Sequence, residues 1–201
     1  MNDVIEWYDA LASEDDDPLY DGPFLREYMD KWDGNTFLDC LKIRRNLSFV
    51  MEIGVGTGRL AKGLLPHVNE FTGIDISPKM IERVKFNLRE YHSNRFVCGD
   101  FLEYKFHRSF DIIFSSQTFK HFEDKQKAFD KVYDCLVVGG QFVLSIDKNT
   151  SEYIYNGSKR LRVYPDYPDK TREYIQNAGL TLVEEHETEF AYIFNCFKEK
   201  K

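Results

Sequence analysis

Short-range signals of chemistry are scarce in this sequence. The cysteines, Cys40, Cys98, Cys135 and Cys196, are widely separated and include no C-x-x-C pair, so neither a disulfide framework nor a local zinc motif is expected. The histidines, His67, His92, His107, His121 and His186, likewise never fall at the close spacing of a zinc or haem site, and no metal is expected. No apolar run approaches the roughly 20 residues that cross a bilayer. The opening MNDVIEWYDA lacks the basic and apolar regions of a secretory signal, so a cytoplasmic protein with no membrane partner is expected. Basic charge is in deficit, with 27 Lys+Arg against 34 Asp+Glu and a formal net charge of −7. That balance argues against a broad grip on nucleic acid or an anionic surface. Internal repeats and low-complexity linkers are also missing.

What is present suits one globular domain, since 201 residues at 42% hydrophobic and 30% charged can bury a sizeable core. From residue 48 onward, strand-like apolar runs alternate with amphipathic stretches, the pattern of a parallel sheet covered by helices. The strand-like runs are 48–53, 70–75, 95–98, 110–115 and 140–147, and two more at 180–188 and 191–197 read as an antiparallel hairpin closing the sheet. Met80, Val84, Leu88 and Tyr91 make one helical stripe, and Phe129, Val132, Tyr133 and Leu136 another. Ser77-Pro78 supplies a cap and a first-turn proline. The expectation is a three-layer α/β fold, doubly wound, with a seven-stranded, mostly parallel sheet and an antiparallel last strand. Residues 1–47 read as a helical cap with an acidic loop at 14–17 and a longer helix from about Phe24. Residues 48–150 are the core, 151–170 an irregular insertion with Tyr153, Tyr155, Tyr164 and Tyr167, and 171–201 a helix and the terminal hairpin.

The most informative segment is Glu52-Ile53-Gly54-Val55-Gly56-Thr57-Gly58-Arg59. An apolar strand enters three alternating glycines and then a helix, so the backbone turns tightly and lets a ligand lie against it. The helix start would offer free N–H groups to an anion. Asp75 ends the next strand, 21 residues beyond Gly54, where a carboxylate can accept from both hydroxyls of a ribose. Two cofactor classes fit such a pair. The dinucleotide fingerprint G-x-G-x-x-G needs a glycine where this chain has Arg59. The observed pattern is E-x-G-x-G-x-G, followed by Gly73-Ile74-Asp75-Ile76-Ser77, Cys98-Gly99-Asp100-Phe101, Phe110-Asp111-Ile112-Ile113-Phe114 and Gly139-Gly140-Gln141-Phe142.

In that order and spacing, residues 48–150 resemble the class I S-adenosylmethionine-dependent methyltransferases, small-molecule branch. The resemblance implies S-adenosyl-L-methionine as cofactor, with Glu52, Gly54, Gly56 and Gly58 lining its methionine part. It places the ribose on Asp75 and the adenine beside Ile76, Met80, Asp100 and Phe101. The segment from Ser115 to Phe122 is similar to the family's post-fourth-strand segment at the mouth of the site. Tyr8 and Tyr20 lie where related enzymes set a tyrosine over the cofactor or in a lid. The segment 115–118 is Ser-Ser-Gln-Thr, unlike the Asp/Asn-Pro-Pro-Tyr/Phe motif of amide- and nucleobase-directed relatives, and a small-molecule substrate is expected.

His121 is the candidate catalytic residue, because an imidazole titrates near neutral pH and can take a proton from an attacking hydroxyl or amine. Its bland reading is a hydrogen-bonded cap of the next helix. Asp100 has a similar alternative, capping a turn at 101–104. The rival functions are an NAD-dependent oxidoreductase, against which Arg59 counts, and a non-catalytic protein that binds the same cofactor and a partner.

Overall fold

A computed structural model describes residues 2–13, 23–43, 48–92 and 94–200. The cap consists of α1 (Asn2–Ala12), α2 (Pro23–Asp30) and α3 (Gly34–Cys40). The core continues through β1 (Phe49–Ile53), α4 (Arg59–Leu64), β2 (Glu70–Asp75), α5 (Pro78–Asn87), β3 (Asn94–Cys98), β4 (Phe110–Ser116), α6 (Lys125–Cys135) and β5 (Leu136–Asp147). After these come β6 (Tyr153–Asn156), β7 (Lys159–Arg162), α7 (Pro168–Asn177), β8 (Thr181–Glu187) and β9 (Ala191–Phe197).

Seven strands form one sheet in the order β3-β2-β1-β4-β5-β9-β8. All neighbours are parallel except those of β9, which runs against both β5 and β8. The central strands read as unbroken apolar runs because both of their faces are covered. Period-2 alternation divides them: Val50, Ile112, Phe114, Val143 and Ile193 face a cluster with Phe37 of α3, Leu60 of α4 and Val84 of α5. Met51, Ile113, Phe142, Leu144 and Phe194 face Phe129 and Val132 of α6 and Ile175 of α7. These are the two outer layers of the three.

The sheet order reverses direction at β1, with β2 on one side and β4 on the other, so a crevice opens beyond their carboxyl ends. Local chemistry builds its rim. Ser77 Oγ accepts from the Met80 amide at 3.1 Å, and Pro78 opens α5.

Three expectations from the sequence are corrected. Residues 151–170 are not irregular throughout: β6 and β7 pair antiparallel, Tyr153 opposite Arg162 and Asn156 opposite Lys159. Gly157, at φ +57°, turns this hairpin. Its tyrosines and arginines obscure the alternation because they pack on each other, as Arg160 does over the Tyr153 ring at 4.7 Å. The long cap helix is broken into α2 and α3 at Asp33, whose side chain accepts from the Gly34 amide. Finally, β5 begins at Leu136 rather than Gly140, its register shifting between Phe110 and Ile112 of β4. The acidic loop at 14–17 and Tyr20 lie outside the described residues.

Candidate active site

The glycine loop is held from β2. The amides of Gly54 and Val55 donate to Ile74 O at 2.8 and 3.1 Å. The Gly56 amide donates to Asp75 Oδ2 at 2.9 Å, and the Ser77 amide to Asp75 Oδ1 at 3.0 Å. Asp75 therefore fixes the loop and the start of α5 together. Burial pushes its carboxyl upward, partly offset by the amides of Ser77, Gly56 and Ile76.

Gly54, Gly56 and Gly58 all have positive φ, +77°, +52° and +94°, but they serve different ends. A Cβ on Gly54 would meet Thr118 Oγ1 at 1.9 Å, so this glycine lets the loop after β4 approach. A Cβ on Gly58 would meet Leu88 at 2.7 Å and Val84 at 2.8 Å. Gly58 thus lets α5 pack against the loop. Only Gly56 of the three opens onto empty space, with nothing within 4 Å of the same probe position.

Glu52, at the end of β1, is 3% exposed, and its Oε2 has no hydrogen-bond partner. Burial pushes this carboxyl well up; Arg59 opposes the shift, and Asp33 and Asp75 reinforce it. A buried acid with an unpartnered oxygen beside an open glycine fits a ligand carrying a donor such as an ammonium. The opposite wall is organised by Asp33, which sequence reasoning missed. Its fully buried carboxylate takes both guanidinium nitrogens of Arg59, and also the Ser116 hydroxyl at 2.7 Å. Beyond its cap on the Gly34 amide, Asp33 finds its partners on α4 and β4, so nothing local marks its place in the site.

The helix α1 lies across this crevice. Asp9 Oδ1 accepts from Ser77 Oγ at 2.5 Å and from the Lys79 amide at 3.2 Å, at the positive end of α5. Tyr8 Oη and His121 Nε2 are 2.7 Å apart, their rings edge to face with centroids 5.3 Å apart. Burial, then the Asp75 charge, pushes the Tyr8 phenol up. Burial, with Lys120 and Lys125, lowers His121 to about 3. The neutral imidazole and the protonated phenol share one hydrogen bond between Nε2 and Oη, and His121 Nδ1 has no partner. His121 in this buried setting is a weaker base than a free histidine.

The remaining expected residues are dispersed. Ser115 is fully buried and donates to Ile53 O at 2.9 Å, so its hydroxyl ties β4 to β1 and is not at the mouth, contrary to expectation. Asp100 Oδ1 accepts from the Leu102 amide at 2.9 Å, the turn-capping alternative. Phe101 and Met80 are 4% and 7% exposed and pack into the core, while Ile76 is half-buried beyond Asp75. Tyr155 and Tyr167 of the 151–170 segment are 67% and 50% exposed.

Beyond β4, Gln117 has φ +59°, unusual for a residue with a side chain. Its Nε2 donates to Ser145 Oγ at 3.1 Å, and its Oε1 has no partner. Trp32 Nε1, next to Asp33, is unpartnered as well. Among the described residues, every buried side-chain polar atom without a partner belongs to Trp32, Glu52, Gln117 or His121. All four residues lie in or next to the segments that border the crevice.

A methyltransferase-domain family model matches residues 51–144. An uncharacterized methyltransferase of Anoxybacillus flavithermus is 30% identical over 155 residues, spanning 74% of this chain and 72% of its own. A malonyl-[acyl-carrier protein] O-methyltransferase of Ilyobacter polytropus is 29% identical over 52% of this chain. The chain spans about 40% of the length of that protein. Among solved structures, the N-methyltransferase NodS of Bradyrhizobium japonicum, in complex with S-adenosyl-L-homocysteine, superposes with a TM-score of 0.74 at 19% identity, covering 98% of this chain and all of its own. With this sheet order, this glycine loop and these relatives, the chain belongs to the class I S-adenosylmethionine-dependent methyltransferases.

Proposed function

We propose that this protein transfers the methyl group of S-adenosyl-L-methionine to an oxygen, nitrogen or carbon nucleophile of a small molecule. The observation that carries this reading is Gly56, left-handed at φ +52° with open space where a side chain would stand, its amide fixed by Asp75. When bound, the cofactor supplies an electrophilic methyl on a positively charged sulfur with a neutral leaving group.

The chain's own residues would bind, orient and exclude water. Glu52 Oε2 is the acceptor for the methionine ammonium. Asp75, already aligned by two amides, is the acceptor for the ribose hydroxyls. Ile76 and the backbone at Asp100 and Phe101 border the adenine, with Met80 packing behind. Tyr8, on α1, closes over the sulfur side and positions His121. The unpartnered atoms of Gln117 and Trp32 face the acceptor. Positioning reacting atoms at about 3–3.5 Å with water excluded supplies most of the acceleration, so no strong base is required when the nucleophile is already deprotonated. The malonyl-[acyl-carrier protein] relative supports oxygen as the acceptor atom. Arg59, bound by Asp33 where a dinucleotide fold needs glycine, counts against a nicotinamide cofactor.

Calorimetry with S-adenosylhomocysteine tests the reading. One equivalent is expected to bind, and Asp75→Ala to weaken it by about 10- to 150-fold, roughly 1.5–3 kcal/mol. Unchanged affinity in a folded Asp75→Ala chain removes the ribose assignment.

A further inference from the structure

At the edge of the sheet, four strands away from β1 and its glycine loop, the last residue of α3 meets the edge strand β8. Cys40 Sγ, a carboxylate oxygen of Glu184 and a ring nitrogen of His186 lie within 4.8 Å of one another. We propose that Cys40, Glu184 and His186 form a site for one zinc-class divalent cation, with water as the fourth ligand.

The donor set indicates the class of ion. A thiolate, an imidazole and a carboxylate together suit zinc and its borderline neighbours, whereas magnesium and calcium take oxygen alone. The spacing is near what the ion requires. Glu184 Oε2 and His186 Nε2 are 3.8 Å apart, while metal bonds of about 2.0–2.3 Å give tetrahedral edges of about 3.3–3.8 Å. Both side chains are half-exposed, at 45% and 41%, and rotation of the His186 ring toward Cys40 closes the remaining gap. Ion binding would release the Cys40 thiol proton to solvent.

The surroundings are built to hold these ligands. A register shift in β8 between Leu182 and Glu184 sets Glu184 opposite Asn195 and His186 opposite Ile193. A bulge of this kind re-aims side chains at a sheet edge, and the two-residue spacing puts both ligands on one face. Behind them is a buried amide relay. Asn195, fully buried, donates to Glu184 Oε2 at 2.9 Å. Gln141, 2% exposed, donates from Nε2 to Asn195 Oδ1 at 2.8 Å and to Cys40 O at 2.7 Å. Gln141 Oε1 also accepts from the Lys42 amide at 2.9 Å. Two polar side chains deep in the sheet are costly unless satisfied, and here they fix the carboxylate and the cysteine backbone relative to each other. Outer-shell partners of metal ligands act in this way.

Lys42 is the neighbouring cation, its ammonium 5.1 Å from the Phe197 ring centroid. Before an ion enters, the Glu184 carboxylate and the Lys42 ammonium balance and burial keeps the Cys40 thiol protonated; loss of that proton to the ion is what makes the ligand set anionic. A bound ion would clasp α3 to β8, tying the cap to the final hairpin.

The full-length chain, stripped with a chelator and desalted, should take up one Co2+ with a near-ultraviolet thiolate-to-cobalt band and the visible bands of four-coordination. Zn2+ should displace it and raise the thermal midpoint. Cys40→Ser should abolish the thiolate band, and Cys98→Ser and Cys135→Ser should leave it unchanged. His186→Ala, at a half-exposed position with little risk to folding, should weaken Co2+ binding by about tenfold or more. No thiolate band in the folded protein, a band that survives Cys40→Ser, or a His186→Ala chain that binds Co2+ unchanged would each overturn the site.

Discussion

Along the half of the crevice formed by β1 and β2, the shaping contacts reach short distances in the chain. Asp75 holds amides 2 and 19 residues away. Along the half formed by β4 and the cap, Asp33 reaches Ser116 across 83 residues, and Tyr8 reaches His121 across 113. The first half is a motif that can form as soon as one β–loop–α–β unit does. The second exists only after the cap has docked, so its side chains report tertiary structure and little else. The unpartnered atoms follow the same division, with Glu52 on the motif side and Trp32, Gln117 and His121 on the assembled side.

The largest test of this contrast is Asp33→Ala. It strands Arg59, whose side chain is 19% exposed, opposite a vacated and fully buried position. Breaking a buried ion pair costs about 3–5 kcal/mol. Denaturant unfolding should show a loss of that size, and a loss below about 1 kcal/mol would mean the cap docks without it.

The two glycines that differ in surroundings give the next test. Gly56→Val puts a side chain into the open space and should weaken S-adenosylhomocysteine by more than about 100-fold, roughly 2.7 kcal/mol. Its left-handed backbone adds a stability cost of about 1–2 kcal/mol. Gly58→Val strikes Val84 of α5 and Leu88 just beyond its end and should lower the thermal midpoint before it affects ligand binding. Calorimetry and thermal unfolding on both variants would separate a binding glycine from a packing one, and identical profiles would erase the distinction.

An effect that emerges only as the pH falls belongs to His121, lowered from 6.5 to about 3 in the folded chain. The unfolded chain takes up this proton first, so the stability is fully present above about pH 6.5 and is lost as pH falls toward about 3. The slope is up to about 1.4 kcal/mol per pH unit. Glu52 and Asp75, shifted upward, act in the opposite sense, gaining protons in the folded state first. His121→Asn should therefore flatten the acid-side loss relative to the parent in unfolding series between about pH 6.5 and 4. Parallel curves would mean His121 is not buried against Tyr8.

The sequence by itself determined the sheet and the glycine loop that follows β1. The strands expected at 70–75, 110–115 and 191–197 stand within a residue of Glu70–Asp75, Phe110–Ser116 and Ala191–Phe197. Hydrophobic period, Ser77-Pro78 and the glycines act within a turn or a strand, and their physics is local. The β6–β7 hairpin, the break at Asp33, the packing role of Gly58 and the inward hydroxyl of Ser115 were settled only in three dimensions. Each depends on what a distant segment brings to it: α5 against Gly58, β1 against Ser115, Arg59 and Ser116 against Asp33. A carboxylate, a glycine or a serine has the same local preferences whichever of those partners arrives. Its place in the site is therefore decided by burial and by pairing across the fold.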